Sequence, residues 1–304
     1  MGEYRDVHRK NLGKHKMMKL YSPLRYPGGK RKLANFIKMV FEKNLLIDGY
    51  YVEPYAGGAS VALSLLLEEY ANKIVINDFD RAIFAFWYAV LNHTDELCRL
   101  IFDTKVNLKT WQQQKAIQDK KDRIEILDLG FSTFFLNRTN HSGIIKGGVI
   151  GGNNQNGNYK IDARYNKSNL IDRIQRIALY KSRILLYNLD AIVLINTISR
   201  SLPQKTLIYF DPPYYVKGKD LYVNHYKHED HVLVSQMING IAKHKWIVSY
   251  DNAPEIKKLY KLNKKFEYDL NYSAVNATIG SEVIFYHKDL FIPKVINPAQ
   301  VVNY

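Results

Sequence analysis

Short apolar runs, each stopping at an acidic or Pro/Gly turn and followed by a helical pattern, constrain the fold of this chain more than any other feature. Tyr50 to Glu53 ends in Glu53-Pro54-Tyr55-Ala56-Gly57-Gly58 and leads into the helical stretch Ala59 to Tyr70. Ile74 to Asn77 ends in Asp78 and leads into an apolar, aromatic helix from Ile83 to Leu91. This β-α-β-α order is what a parallel sheet needs, because parallel neighbours can be joined only by a crossover connection. Similar runs recur at Leu185 to Asn188, Leu207 to Phe210, Lys245 to Tyr250, Glu267 to Tyr272 and Val283 to Tyr286. Together they predict about seven strands in one open, doubly wound α/β sheet.

Ahead of the first strand, Leu33, Phe36, Ile37, Val40 and Phe41 have helical spacing after a turn-rich loop from Ser22 to Lys30. The rhythm breaks between Asn92 and Arg183, where polar helical patterns and a Gly/Asn-rich segment from Gly147 to Gly157 show no strand alternating with a helix. We read 93–183 as an inserted, mainly helical domain between two parts of an α/β domain, 20–92 and 184–290. A basic arm at 1–19 and a tail at 291–304 flank them. The turn chemistry of 147–157 suits a loop or a hairpin tip.

Lys and Arg number 44 against 29 Asp and Glu, giving a net charge of +15. That bias favours a polyanionic partner, although a solvated positive surface gives the same total. One cysteine, Cys98, excludes an intrachain disulfide framework and a Cys-cluster zinc site, and a buried thiol is its expected role. The 9 histidines show no H-E-x-x-H spacing, so no metal is expected. Without a signal peptide's apolar run or a bilayer-length segment, a soluble, cytoplasmic protein with no membrane association is expected.

The segment Ile208-Tyr209-Phe210-Asp211-Pro212-Pro213-Tyr214 carries the sharpest chemistry. Ligands of open α/β sheets bind outside the carboxyl ends of strands, where Asp211 stands. An amino group on an aromatic base is a poor nucleophile because its lone pair is delocalised into the ring. Asp211 and a backbone carbonyl can accept its two N–H bonds and favour a more tetrahedral nitrogen. Tyr214 can stack on the base, and Pro212 and Pro213 stiffen the backbone. The plainer alternative is a Pro turn with a capping Asp.

Four segments in this order, Tyr26-Pro27-Gly28-Gly29-Lys30, Glu53 to Gly58, Asn77-Asp78 and Asp211 to Tyr214, resemble the Dam-like adenine-specific DNA methyltransferases (D12 class, α-group) over roughly residues 20 to 290. The resemblance implies a Rossmann-like seven-stranded sheet and S-adenosylmethionine as methyl donor, with S-adenosylhomocysteine as product. It implies methylation of N6 on an adenine flipped out of double-stranded DNA, and restriction-modification beside a cognate restriction endonuclease. A monomer or weak dimer is expected.

The same resemblance places Tyr26 and Lys30 at the cofactor's methionine end, Lys30 being able to pair with its carboxylate. Glu53, Pro54, Tyr55, Gly57 and Gly58 fall in the cofactor-binding turn, whose glycines allow close backbone approach. The absence of G-x-G-x-x-G argues against a dinucleotide, although any tight strand-to-helix turn uses such glycines. Asp78 matches the residue that binds the ribose hydroxyls, or else it caps a helix. Phe79 matches the residue packed on the cofactor's adenine, and Asp190 the one that hydrogen-bonds the adenine amino group. Asp211 borders both cofactor and target.

Within the insert, Phe135 to Gly143 resembles the segment that opens the family's DNA-recognition region. Arg138 is suited to a phosphate or guanine and Asn140 to adenine, with Thr139, His141 and Arg164 beside them and a hairpin beyond narrow enough for a major groove. His141-Ser142 depart from the aromatic-Asn pair usual there. Arg164, Lys167, Arg173, Arg176, Lys181 and Arg183 cluster around one helix as phosphate contacts or as a solvated face. The rival activities are cytosine N4 methylation, which Ser at position 211 would favour, RNA or protein-amide methylation, which Asn there would favour, and a decayed DNA-binding module. Cys98 lies outside any motif for a cytosine C5 nucleophile.

Overall fold

The computed structural model describes residues 20–25, 30–216, 226–272 and 278–301. The sheet is set by alternation. In β1 (Gly49–Glu53) Tyr51 and Val52 enter opposite cores. In β2 (Ala71–Asn77) Ile74 and Ile76 oppose Val75, and in β4 (Thr206–Phe210) Leu207 and Tyr209 oppose Ile208 and Phe210. Successive strand residues face opposite sides, so apolar residues at every position require a sheet covered on both faces. With β3 (Ile184–Tyr187), β5 (Lys245–Asp251), β6 (Lys264–Tyr272) and β7 (Thr278–Tyr286), the seven strands run in the order β3-β2-β1-β4-β5-β7-β6. β1 to β5 are parallel, and β7 is antiparallel to both β5 and β6.

One face is covered by α1 (Ala34–Lys43), α2 (Ser60–Leu67) and α3 (Arg81–Asn92), through Phe36, Phe41, Leu63 and Phe86. Next come the four helices of the inserted stretch, α4 (Thr94–Asp103), α5 (Leu108–Gln118), α6 (Ile126–Thr139) and α7 (Lys167–Ala178). The opposite face takes α8 (Ala191–Ile198), α9 (His228–Asn239) and α10 (Pro254–Leu259), through Leu194, Ile198, Val234, Ile238 and Ile256. The chain winds from β1 outward to β3 and returns to the other side of β1 as β4. That reversal leaves a crevice at the carboxyl ends of β1 and β4, which one crossover cannot cover.

α6 packs along α3, and the cores of insert and sheet are continuous. Phe134 stacks on Phe86, with centroids 6.0 Å apart and 12° between planes, and Tyr165 meets Phe134 edge-on at 5.4 Å. Cys98 is buried on α4. The hairpin expected after α6 does not form among the described residues. Asn140 and Val149 make an isolated antiparallel bridge, and the Gly/Asn-rich stretch continues largely as turns. Gln155 holds these turns: its Nε2 donates to the carbonyls of Ile150 and Gly152, both at 2.8 Å, and its Oε1 accepts from Ile161 N at 2.8 Å. A side-chain amide thus replaces the partners a strand ladder would supply.

The basic arm at 1–19 lies outside the described residues. The carboxyl-terminal stretch returns to α1. Asn44 exchanges two hydrogen bonds with the backbone of Phe291, at 2.8 and 2.9 Å, and Asn35 Nδ2 donates to Val301 O at 2.9 Å.

Asn137, 1% exposed on α6, ties the insert to the segment before Lys30. It accepts from Arg25 N and donates to Arg25 O, both at 2.7 Å, and donates to Gly143 O at 2.8 Å. Gly143 has φ +79°, and a Cβ there would lie 2.1 Å from Arg25 O. Gly143→Ala is therefore expected to lose roughly 2–4 kcal/mol in chemical denaturation, from left-handed strain plus steric overlap. Wild-type stability would show that this junction has room to spare.

Candidate active site

Five parallel strands deliver acidic or amide side chains to one edge of the sheet. Glu53 ends β1, Asn77 ends β2 with Asp78 next, Asp190 follows β3, Asp211 follows β4 and Asp251 ends β5. Asn77, 1% exposed, ties three of these ends together. Its Nδ2 donates to Pro54 O at 2.8 Å and Leu189 O at 2.9 Å, and its Oδ1 accepts from Leu189 N at 2.9 Å. The sequence marks Asn77 only as part of an acidic turn, and its bridging has no local signature.

On the β1–β2 side, Gly57 takes φ 47°, which turns its N–H toward Asp78 Oδ2 at 2.9 Å while its carbonyl accepts from Trp87 Nε1 at 2.9 Å. Gly58 is buried in the same turn. Asp80, not Asp78, caps α3, accepting from Ala82 N at 3.0 Å and Lys121 Nζ at 2.8 Å. Asp78 spans the loop instead, its Oδ1 accepting from Asp80 N at 2.9 Å. Burial pushes its carboxyl up to about 7. Phe79, next to it, is 62% exposed. Asp190 caps α8, its Oδ1 accepting from Ile192 N at 2.8 Å and Val193 N at 3.3 Å. Capping accounts for one of its oxygens. Tyr55 meets the hydroxyl of Tyr226 at 3.1 Å. Tyr26 lies outside the described residues.

Glu53 is 5% exposed, and its Oε1 accepts from Tyr51 Oη at 3.0 Å and Ala62 N at 3.3 Å. Burial outweighs both donors and pushes its pKa up to about 8.

At the end of β4, Asp211 Oδ1 accepts from Ser249 Oγ at 2.9 Å, and Ser249 in turn pairs with Tyr209 Oη at 2.8 Å. Lys30 Nζ lies 3.4 Å from Asp211 Oδ1 and 2.9 and 3.1 Å from the two carboxylate oxygens of Glu282, and it also bonds the Tyr214 hydroxyl. The sequence suggested that Lys30 pairs with a cofactor carboxylate, but the structure gives it two protein carboxylates instead. An ammonium only 8% exposed must be neutralised, and these acids are the near source. Burial lowers the Lys30 pKa, but Asp211 and Glu282 raise it more, so the net shift is upward. Asp211 is pushed up to about 6, chiefly by burial; Lys30 pulls it down and Glu282 pushes it back up.

Tyr214 differs from expectation as well. Its ring is 2% exposed and its hydroxyl bonds both Lys30 and Glu282, so the face expected to stack on a base is covered in this structure. Glu282, 0% exposed on β7, also accepts from Tyr268 Oη at 2.6 Å. Asp251, opposite it in register, accepts from Tyr215 N at 2.9 Å and Val216 N at 2.8 Å, clamping the chain that leaves Pro213. The sequence reading missed both acids, because each sits in a strand run with no motif around it.

His141, Tyr159 and Arg164 of the insert, with Arg25 from the segment before Lys30, border an open cavity of about 350 Å³. Arg164 is exposed over the Tyr159 ring at 5.3 Å. Arg138 Nε donates to Arg164 O at 2.6 Å, and burial followed by the neighbouring Arg25, Arg173 and Arg164 pulls its pKa down to about 9. Asn140 faces inward instead of toward a base. It is 0% exposed, accepts from Trp111 Nε1 at 2.6 Å and donates to the carbonyls of Ile144 and Ile145, both at 2.9 Å. Thr139 is equally buried, donating to Phe135 O at 2.8 Å. In the basic cluster, Arg183 bonds Glu69 and the carbonyls of Ala71 and Asn72, and Lys167 bonds Thr104 O at 2.9 Å. Those two cations brace the fold. Among the described residues no cluster of three or more His, Cys, Asp or Glu is placed to hold a metal, and no helix is long and apolar enough to cross a membrane.

Because Glu53 has a raised pKa, the folded chain keeps a proton that the unfolded chain releases near 4.5. The stability this contributes is complete below that pH and is lost as pH rises through about 8. Glu53→Gln removes the titration, so its thermal midpoint is expected to fall less than the wild type's across that window. Parallel curves would mean that Glu53 is ionised throughout.

A family model for D12 class N6 adenine-specific DNA methyltransferases matches residues 26–273. The type II methyltransferase M.MjaIII of Methanocaldococcus jannaschii is 23% identical over 205 residues, covering 63% of this chain and 68% of its own length. Among solved structures, PH1948 from Pyrococcus horikoshii aligns over 92% of both chains at 9% identity and a TM-score of 0.39. The rRNA methyltransferase aviRa from Streptomyces viridochromogenes aligns over 86% of this chain and 85% of its own, at 12% identity and a TM-score of 0.37. Matched by its family model over most of its length, the chain belongs to the D12 class of N6 adenine-specific DNA methyltransferases.

Proposed function

We propose that this enzyme transfers the methyl group of S-adenosylmethionine to N6 of an adenine turned out of duplex DNA. The observation that carries the reading is the setting of Asp211. Its carboxylate, 17% exposed, stands at the carboxyl end of β4 beside the crevice, where the chain turns through Pro212 and Pro213. Family membership supports adenine N6 as the acceptor and S-adenosylmethionine as the donor.

The β1–β2 side fits that cofactor. Phe79 offers an open ring beside Asp78, whose carboxylate is released from capping duty, and among the described residues the donors to Glu53 fall on Oε1 alone. Asp78 would hold the ribose hydroxyls, Phe79 the adenine ring and Glu53 the ammonium end. When bound, the cofactor supplies a methyl group on a sulfonium, which leaves as the neutral thioether S-adenosylhomocysteine.

A duplex hides N6, so the target base must leave the stack at a cost of about a few kcal/mol. Asp211 then accepts one N–H of the amino group and the Pro212 carbonyl the other, which aims the nitrogen lone pair toward the methyl-donor side of the crevice. The proton that the methylated nitrogen must shed would pass to the Asp211 carboxylate. Tyr214 can offer a face to the base only after its hydroxyl leaves Lys30 and Glu282. Arg25, Arg164 and His141, around the cavity at the insert, with Arg138 bonded to the Arg164 carbonyl, would meet the DNA backbone, in keeping with the +15 charge. A restriction-modification role beside a cognate endonuclease is supported by the relative's name, type II methyltransferase.

Incubation with labelled S-adenosylmethionine and unmethylated genomic DNA is expected to put label in N6-methyldeoxyadenosine. Asp211→Ala should lower the yield roughly a hundredfold or more. Label in N4-methyldeoxycytidine would overturn the base assignment. Since only ionised Asp211 can accept both as anion and as hydrogen-bond partner, kcat/KM should fall as pH drops through about 6. The same profile in Asp211→Asn would assign that limb to another group.

A further inference from the structure

Resting on the reading of Asp211 as the acceptor for the target amino group, we propose that Glu282 is a positioning residue for methyl transfer, taking the Lys30 ammonium so that Asp211 can bind the adenine. Lys30 Nζ lies 3.4 Å from Asp211 Oδ1, close to where an amino nitrogen must sit to donate to that carboxylate. Ammonium and substrate amine therefore compete for one acid. Glu282 gives the ammonium a second place to go, with Nζ already 2.9 and 3.1 Å from its two oxygens.

The surroundings make Glu282 the stronger holder. It is 0% exposed, against 17% for the Asp211 side chain, so water competes less for its charge. The Tyr268 hydroxyl donates to one of its oxygens at 2.6 Å and the Tyr214 hydroxyl to the other, which fixes the carboxylate in place. Ser249 donates to Asp211 from β5, and Glu53 faces it from β1. The phenols of Tyr51, Tyr209 and Tyr268 stay neutral, since burial holds each well above its usual range. With Lys30 wholly on Glu282 that pair is neutral, and Asp211 presents a charge to the incoming amine. Without the Glu282 charge, Lys30 has Asp211 as its remaining counter-ion and blocks it. The bonds from the Tyr214 hydroxyl to Glu282 and Lys30 couple the ring that must turn to meet the base to the ammonium that must leave Asp211.

The full-length Glu282→Gln enzyme tests this. Binding of S-adenosylhomocysteine should stay within about twofold of wild type, while kcat falls roughly tenfold or more. The acid limb of kcat/KM should move to lower pH, because Asp211 loses a like charge and keeps Lys30. Adding Lys30→Met to Glu282→Gln should restore at least about threefold of the lost kcat by removing the competitor. Glu282→Asp, which keeps the charge and guards against misfolding of the Gln variant, should leave the acid limb where it is in wild type. An unchanged kcat in Glu282→Gln overturns the proposal. So does a fall in kcat with the limb unmoved and no recovery in the double variant, since that is the signature of a structural role. Retention of activity by Asp211→Ala would instead remove the reading of Asp211 on which the proposal stands.

Discussion

Lys30 divides its ammonium between a buried carboxylate, Glu282, and a partly buried one, Asp211, and much of the sheet's design follows from bringing those three groups together. A buried acid without a partner costs several kcal/mol, so neither can be placed at this edge unless the other elements hold Lys30 there too. The strand order β4-β5-β7 sets Asp211, Ser249 and Glu282 on successive neighbours. The reversal of β7 matters here. Running antiparallel to β5, it brings Glu282, from the middle of the strand, opposite Asp251 at the carboxyl end of β5. A parallel β7 would offer this edge its other end, where Phe285 and Tyr286 stand.

The proposed function divides the crevice between two tasks. It assigns the β1 and β2 ends, with Glu53, Asp78 and Phe79, to a nucleoside carrying a charged tail, and Asn77 keeps those ends in register with the loop after β3. It assigns the β4 end to the acceptor, and Asp251 steadies the chain beyond it. The insert is bonded into the same structure through Asn137 and Arg25, close in sequence to Lys30. A shift at the turn holding Gly143 therefore pulls on the segment that leads to Lys30.

The sheet and the position of Asp211 were legible because they rest on local patterns. Apolar runs marked β1, β3, β4 and β5 to within a residue at either end, and Asp-Pro-Pro-Tyr after a buried strand is a short motif with its own chemistry. The polar outer ends of β6 and β7 blurred their starts, which fall at Lys264 and Thr278. Glu282 was invisible for a different reason: it partners a lysine 252 residues away, and nothing beside it in sequence predicts that pairing. Asn140 shows the converse limit of a local pattern. Its residue type suits an adenine, but Trp111 and two carbonyls already use its amide, and such competition is visible only in three dimensions.

The division of the crevice is tested most directly by calorimetric titration of S-adenosylhomocysteine into wild type and Asp78→Ala. Loss of affinity by roughly a factor of thirty or more, with duplex DNA binding retained, is what a ribose held by Asp78 predicts. Equal affinity in the two proteins would contradict it and move the cofactor away from the ends of β1 and β2.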